Sequence, residues 1–258
     1  MDIISNWELV ALAAAAALVG FSKTAVSGAN TVSLAIFAAV LPARESTGVL
    51  LPLLIVGDVF AVLIYRRHAH WPTLLRLFPA VVAGVLVGAV FMLWADDDAV
   101  RTSIGAILLL MSAVTMWGRR PGAAEPLAAP QDQGDEGGVG GGRLKARSYG
   151  VLGGFTTMVA NAGGPVMSLY LISTGFRKLG FLGTAAWFFL IVNTSKVPFS
   201  VGLGLIDRQS LLLDAVLVLF VLPGALIGKA CAGRIDQLLF ERLVIGATVL
   251  GGLQLLLF

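Results

Sequence analysis

Cysteine is almost absent. Cys231 is the only one, which excludes an intrachain disulfide and any CxxC metal or redox motif. Histidine occurs twice, at His68 and His70. An i, i+2 pair with no cysteine or carboxylate triplet beside it is not a metal-ligand set, so neither a metal nor a cofactor is expected. HExxH, GxSxG, Walker A and dinucleotide fingerprints are missing as well. The apolar runs show no Ser–His or paired-Asp arrangement, so an enzyme is not expected. Charge is scarce: 13% of residues are charged, against about 25% in a typical soluble domain.

Apolar residues fill the space that charge leaves. They make up 57% of 258 residues, with a mean hydropathy of +0.90. A soluble globule of this length has too little interior to hide that surface. The composition implies an all-α integral membrane protein. The net charge of +3 comes from basic residues scattered at segment ends, so no nucleic-acid partner is expected. Met1 to Glu8 carry no basic residue, and no signal peptide is expected there.

Long apolar stretches cover 48–65, 74–95, 100–118, 181–206, 209–228 and 239–258. Each approaches the roughly 20 residues that a spanning helix needs. Trp71, Trp94 and Trp117 stand near their ends, where a bilayer favours aromatic rings. Two further apolar regions, 7–41 and 148–175, are broken by small polar stretches. The first break reads Gly20-Phe21-Ser22-Lys23-Thr24-Ala25-Val26-Ser27-Gly28-Ala29-Asn30, and the second Gly153-Gly154-Phe155-Thr156-Thr157-Met158-Val159-Ala160-Asn161-Ala162-Gly163-Gly164-Pro165. Their arms are mostly about 10–16 residues, short of two full crossings. Each region is a broken helix or a re-entrant pair of half-helices. Residues 119–147, rich in Gly and Pro, read as a flexible linker between a first membrane repeat at 1–118 and a second at 148–258.

The halves share landmarks in the same order. Gly20-Phe21 matches Gly154-Phe155, and Leu54-Ile55-Val56 matches Leu190-Ile191-Val192. Gly84 and Gly88 match Gly224 and Gly228, and Ile104-Gly105-Ala106 matches Ile245-Gly246-Ala247. The glycine pairs have GxxxG spacing and read as close helix packing. Basic residues test the orientation. With the linker inside and 148–175 entering and leaving on one side, thirteen basic residues fall inside and three (Arg44, Arg101 and Arg208) outside. A single crossing by 148–175 would give nine and seven. The expected architecture is therefore two inverted repeats, each a re-entrant helical hairpin plus three transmembrane helices. The linker is expected in the cytoplasm and both termini outside. That arrangement is typical of secondary transporters.

The first hairpin segment, the Asn-Ala-Gly-Gly-Pro element at 161–165 and the Asn193-Thr194-Ser195-Lys196-Val197-Pro198 segment together resemble the TauE/SafE family of sulfite and organosulfonate transporters. The resemblance covers nearly all of the chain except the linker. It implies movement of sulfite, a sulfonate or a related sulfur anion across the cytoplasmic membrane. Alternatives are an anion channel using the same site, or a non-transporting scaffold subunit.

Three charged residues stand out within the apolar segments: Lys23, Asp58 and Lys196. Such residues cost roughly 2.5–3.5 kcal/mol each to insert and so face a partner or a cavity. Two positive charges against one negative favour an anionic ligand. Half-helices starting at Asn30 or Thr31, and near Gly164-Pro165, would aim free N–H groups at it. Gly28, Gly163 and Gly164 permit close backbone approach. Ser27, Asn30, Thr156, Thr157, Asn161, Asn193 and Ser195 are candidate hydrogen-bonding residues. Pro198 is expected to unwind its segment beside Lys196. Asp58 and Lys196 are the candidates for coupling to protons. Expected partners are a small sulfur oxyanion or sulfonate, the lipid bilayer and a coupling proton, with a homodimer left open.

Overall fold

The computed structural model describes residues 5–25, 29–117, 139–174, 176, 178–231 and 237–257. Ser27, Gly28, most of the linker (118–138), Arg177 and Arg234 lie outside the described residues. All regular structure among those described is helical. In chain order the helices are α1 (Asn6–Thr24), α2 (Asn30–Val40), α3 (Ala43–Tyr65), α4 (Trp71–Trp94) and α5 (Asp97–Trp117). Then follow α6 (Val139–Ala160), α7 (Gly163–Ser173), α8 (Lys178–Gly202), α9 (Arg208–Cys231) and α10 (Gln237–Leu257). A 3-10 turn, Arg66–His68, extends α3. Five helices among the described residues are long and apolar enough to cross a bilayer: α1, α3, α4, α5 and α9.

Local chemistry starts several of them. Ser5 and Glu8 form a capping box at α1, with the Ser5 amide donating to Glu8 Oε2 at 2.8 Å. Asp96 caps α5 by accepting from the Ala99 amide at 2.8 Å. The acidic run at 96–98 thus serves the helix start. Asp207 caps α9 through the Ser210 amide at 2.7 Å, and these backbone hydrogen bonds hold its carboxyl below the ordinary range. Trp71 and Trp94 are the first and last residues of α4, and Trp117 ends α5. Large apolar side chains face outward along the spans, including Leu219 and Leu250 at 65% and 70% exposure. That is the surface of a helix bundle solvated by lipid.

Each broken region forms a hairpin with unequal arms. The first pairs α1, 19 residues, with α2, 11 residues. The second pairs α6, 22 residues, with α7, 11 residues. The long arms exceed the expectation for both regions. α6 reaches back to Val139, into the range read as linker. Glycine's poor helix propensity at 140–142 concealed that extension.

The repeated glycines turn out to be reciprocal. A Cβ on Gly20 of α1 would lie 2.0 Å from the Val221 carbonyl oxygen of α9, and one on Gly224 would lie 2.0 Å from the Ala17 carbonyl oxygen. In the other pair, a Cβ on Gly84 of α4 would lie 2.1 Å from the Val151 oxygen of α6, and one on Gly154 would lie 2.2 Å from the Val81 oxygen. The long arm of each hairpin therefore packs backbone to backbone against the span in the other half. α3 and α8 meet antiparallel: Gly183 abuts Tyr65 and His68, Asp58 meets Asn193, and Gly48 abuts Leu205. α5 and α10 are also antiparallel, with Gly105 beside Leu256 and Leu109 beside Gly252.

One expectation is corrected. α8 runs unbroken through Pro198 to Gly202. Proline fixes φ near the helical value and removes one donor only. The carbonyl that loses its partner belongs to Thr194, on the exposed face of the helix.

Candidate functional site

The two hairpin tips meet the α3–α8 pair in the middle of the bundle. On the first tip, the last turn of α1 carries Lys23. Its Nζ lies 2.7 Å from Asp58 Oδ1 on α3 and 4.5 Å from the centre of the Phe189 ring on α8. Gly57 makes room for the lysine stem, since a Cβ there would lie 3.0 Å from Lys23 Cγ. Asp58 is fully buried, and its Oδ2 accepts from Asn193 Nδ2 at 2.7 Å.

The second tip supplies Asn161, between α6 and α7, in the left-handed region at φ 52°. Asparagine tolerates that conformation better than most residues. It leaves the amide placed to work in two directions. Nδ2 donates to the Thr47 carbonyl of α3 at 2.9 Å, and Oδ1 accepts from Lys196 Nζ at 2.5 Å. Lys196, 1% exposed, also donates to the Thr157 carbonyl at 2.5 Å and to Asn193 Oδ1 at 3.5 Å. A continuous polar chain results: Lys23, Asp58, Asn193, Lys196, Asn161. It links both hairpins to both central helices and carries two ammonium groups against one carboxylate.

A cavity of about 40 Å³ adjoins this chain. On that measure a water occupies roughly 10–15 Å³, so the space holds about three waters. Ser22, Lys23, Asn30, Asp58, Thr157, Asn161, Gly164 and Asn193 supply its polar wall. Leu54, Ala61, Leu182, Ala185, Ala186 and Phe189 supply the apolar one. Asn30 is the first residue of α2 and Gly164 the second of α7, so both short arms begin at the cavity. In their first turns the Val32 amide donates to the Ala29 carbonyl at 3.2 Å and Pro165 has no N–H; the remaining N–H groups have no partner within the helix and favour an anion. The Asn30 side-chain oxygen is buried and unbonded.

The structure does not bring every expected residue to this place. Ser195 lies on the exposed face of α8, and its hydroxyl donates to the Val192 carbonyl at 2.8 Å. Thr31 Oγ1 lies 2.6 Å from Thr248 Oγ1 of α10. Thr156 folds back onto the Leu152 and Gly153 carbonyls. Gly163 is packed against Thr157 rather than lining the cavity. Sequence reasoning missed Ser22 and Phe189, which line it.

It also missed an intramembrane charge. Asp214, on α9, is 3% exposed and stands in the apolar run Leu211-Leu212-Leu213-Asp214-Ala215-Val216. Asp214 therefore joins Lys23, Asp58 and Lys196 among the described ionisable residues inside the apolar segments, with Asp58, Lys196 and Asp214 buried and Lys23 11% exposed. A single acid inside an apolar helix was a signal available from the sequence.

The family model for Sulfite exporter TauE/SafE matches residues 12–255. The chain belongs to the TauE/SafE sulfite exporter family. The match spans both hairpins, the central helices and Lys23, Asp58, Lys196 and Asp214. This is a family of membrane transporters, and a multi-pass membrane protein agrees with the long apolar helices described above. No curated protein and no solved structure matches the chain.

Proposed function

We propose that this TauE/SafE protein is a secondary transporter of a small sulfur oxyanion, with sulfite favoured over bulkier organosulfonates. The observation that carries the reading is the buried chain from Lys23 to Asn161. Its net positive charge is held where two half-helices start, beside a cavity of about 40 Å³. Two ammonium groups and two helix N-termini recognise an anion. A space for about three waters accommodates a small oxyanion group, and the preference for sulfite follows the family's description.

The same reading takes the two halves as inverted repeats with re-entrant hairpins, in the cytoplasmic membrane. The antiparallel pairing of α3 with α8 and of α5 with α10 supports it, because these pairs are counterparts by the landmark register. So does the distribution of basic residues, with the linker inside and both termini outside. Alternating access would rock one half against the other around the central chain. Lys23 cannot serve an anion fully while Asp58 holds it. Protonating Asp58 would release Lys23, which makes Asp58 the coupling group, with Lys196 as the standing cation.

A thermal-shift panel on the purified protein tests the reading. The panel holds sulfite, sulfate, thiosulfate, methanesulfonate, taurine, acetate and chloride at matched ionic strength. An anion at 100 times its Kd stabilises the folded state by about 2.7 kcal/mol. Shifts confined to the sulfur oxyanions are expected, largest for sulfite. Equal shifts with acetate and chloride, or none with any anion, would overturn it.

A further inference from the structure

Asp214 is unlike the other buried charges. Both of its carboxylate oxygens are buried and neither has a hydrogen-bond partner. It belongs to the buried stripe of α9, which runs Ser210, Asp214, Leu217, Val221, Gly224, Ala225 and Gly228. The helices packed against α9 are chiefly α1 and α3. The upper part of the stripe is the glycine contact with α1, and Thr24 Oγ1 there donates to the Ala225 carbonyl at 2.8 Å.

The ionisable groups on these elements are otherwise engaged or turned away. On α1, Glu8 is bonded to Ser5 and Lys23 to Asp58. On α3, Arg44 donates to the Met92 carbonyl at 2.9 Å and to the Ala95 carbonyl, and Glu45 is exposed. Asp58 is held by Lys23 and Asn193, and the Tyr65 hydroxyl donates to the Thr24 carbonyl at 3.0 Å. On and beside α9, Asp207, Arg208 and Lys229 are exposed. No described ion pair or hydrogen bond compensates an ionised Asp214.

Isolated ionised carboxylates are not tolerated in such surroundings; the group takes up a proton instead. We propose that Asp214 is a second proton-binding site of this protein, separate from the anion site. It holds its proton while α9 is packed against α1 and α3, and loses it when that packing opens. No covalent step is involved; one proton passes between the carboxyl oxygen and water. α1 is the long arm of the first hairpin, and its tip carries Lys23. Separation of α1 from α9 would therefore hydrate Asp214 and displace the cationic wall of the anion cavity together.

Infrared difference spectroscopy on the full chain in lipid tests this without any anion, so its failure is distinct from failure of the anion reading. The wild-type protein is expected to show the carbonyl stretch of a neutral carboxylic acid at neutral and mildly alkaline pH. Asp214→Asn is expected to remove that band and Asp58→Asn to leave it. If Asp214→Asn does not fold, Asp214→Glu is expected to move the band to the glutamic-acid position. A wild-type spectrum without the band, or a band unchanged in the Asp214 variants, would overturn the proposal. Thermal unfolding in detergent gives a second readout. An aspartate that is neutral when folded and ionised when unfolded lowers the folding constant about tenfold per pH unit as pH rises. The wild-type folding constant is expected to fall more steeply than that of Asp214→Asn, by about one decade more per pH unit. Equal slopes contradict the proposal.

Discussion

Replacing Lys196 by methionine removes the charge while keeping a long apolar side chain. In the native chain the charges at the site are Lys23, Asp58 and Lys196, and Lys23 is paired with Asp58 at 2.7 Å. Without Lys196 the remaining two cancel. Lys196 does not line the cavity but stands behind Thr157, Asn161 and Asn193. A unit charge about 8 Å from an anion contributes about 2 kcal/mol at an effective dielectric near 20, and each 1.4 kcal/mol is a decade in affinity. The effect is therefore between one and two decades, and a loss of about tenfold or more in sulfite affinity is expected. There is a structural effect too. Asn161 Oδ1 and Asn193 Oδ1 each lose a donor in a buried setting, and unsatisfied buried groups cost about 1–3 kcal/mol apiece, whereas the Thr157 carbonyl keeps the Asn161 amide at 3.1 Å. Lys196→Met should fold less stably, and Lys196→Arg should retain part of the charge effect. Ligand-dependent thermal shift gives the affinity, and unliganded melting gives the stability. Sulfite affinity within threefold of wild type in folded Lys196→Met would refute the electrostatic reasoning.

Breaking the Lys23–Asp58 pair by Lys23→Met is expected to cost about 3–5 kcal/mol, since an unpaired buried carboxylate remains. The double variant Lys23→Met/Asp58→Leu should recover most of that stability without anion binding, as melting and ligand-shift measurements would show. Gly20→Ala and Gly84→Ala should each destabilise by about 1–3 kcal/mol or more, because the added carbon meets a backbone carbonyl at 2.0 and 2.1 Å. Gly246→Ala, with nothing within 4 Å, should be neutral or mildly stabilising in the same melting assay. Asn161→Gly and Asn161→Ala remove the same hydrogen bonds, but only glycine accepts φ 52° without strain. The alanine variant should therefore be less stable by about 1–2 kcal/mol.

Much of this arrangement could be read from residue order. The small polar breaks at 20–30 and 153–165 mark where the chain reverses, although 20–24 and 153–160 prolong the long arms, and the short arms begin at Asn30 and Gly163. The matched glycines were legible as packing residues but not their partners. Nothing in a GxxxG pair says that Gly84 and Gly88 meet α6, or that Gly224 and Gly228 meet α1. Helical spacing divides α8 into two faces. Asn193, Lys196 and Ser200 share its buried face, whereas Thr194, Ser195 and Pro198 share the exposed one. That spacing alone separates Ser195 from the cavity. Backbone acceptors left no trace in the sequence. The carbonyls of Thr47 and Thr157 orient Asn161 and Lys196, and any residue provides a carbonyl. Tertiary pairing likewise decided Thr31, which meets Thr248 across 217 positions of sequence.

The most direct test of transport uses the purified chain alone, reconstituted into liposomes, with sulfite flux followed under an imposed sulfite gradient. Wild-type vesicles are expected to show saturable sulfite uptake that is accelerated by a proton gradient at fixed membrane potential. Asp58→Asn is expected to lose that acceleration, and folded Lys196→Met to lose saturable flux. Flux no greater than in empty vesicles, with the protein folded and inserted, would contradict the account.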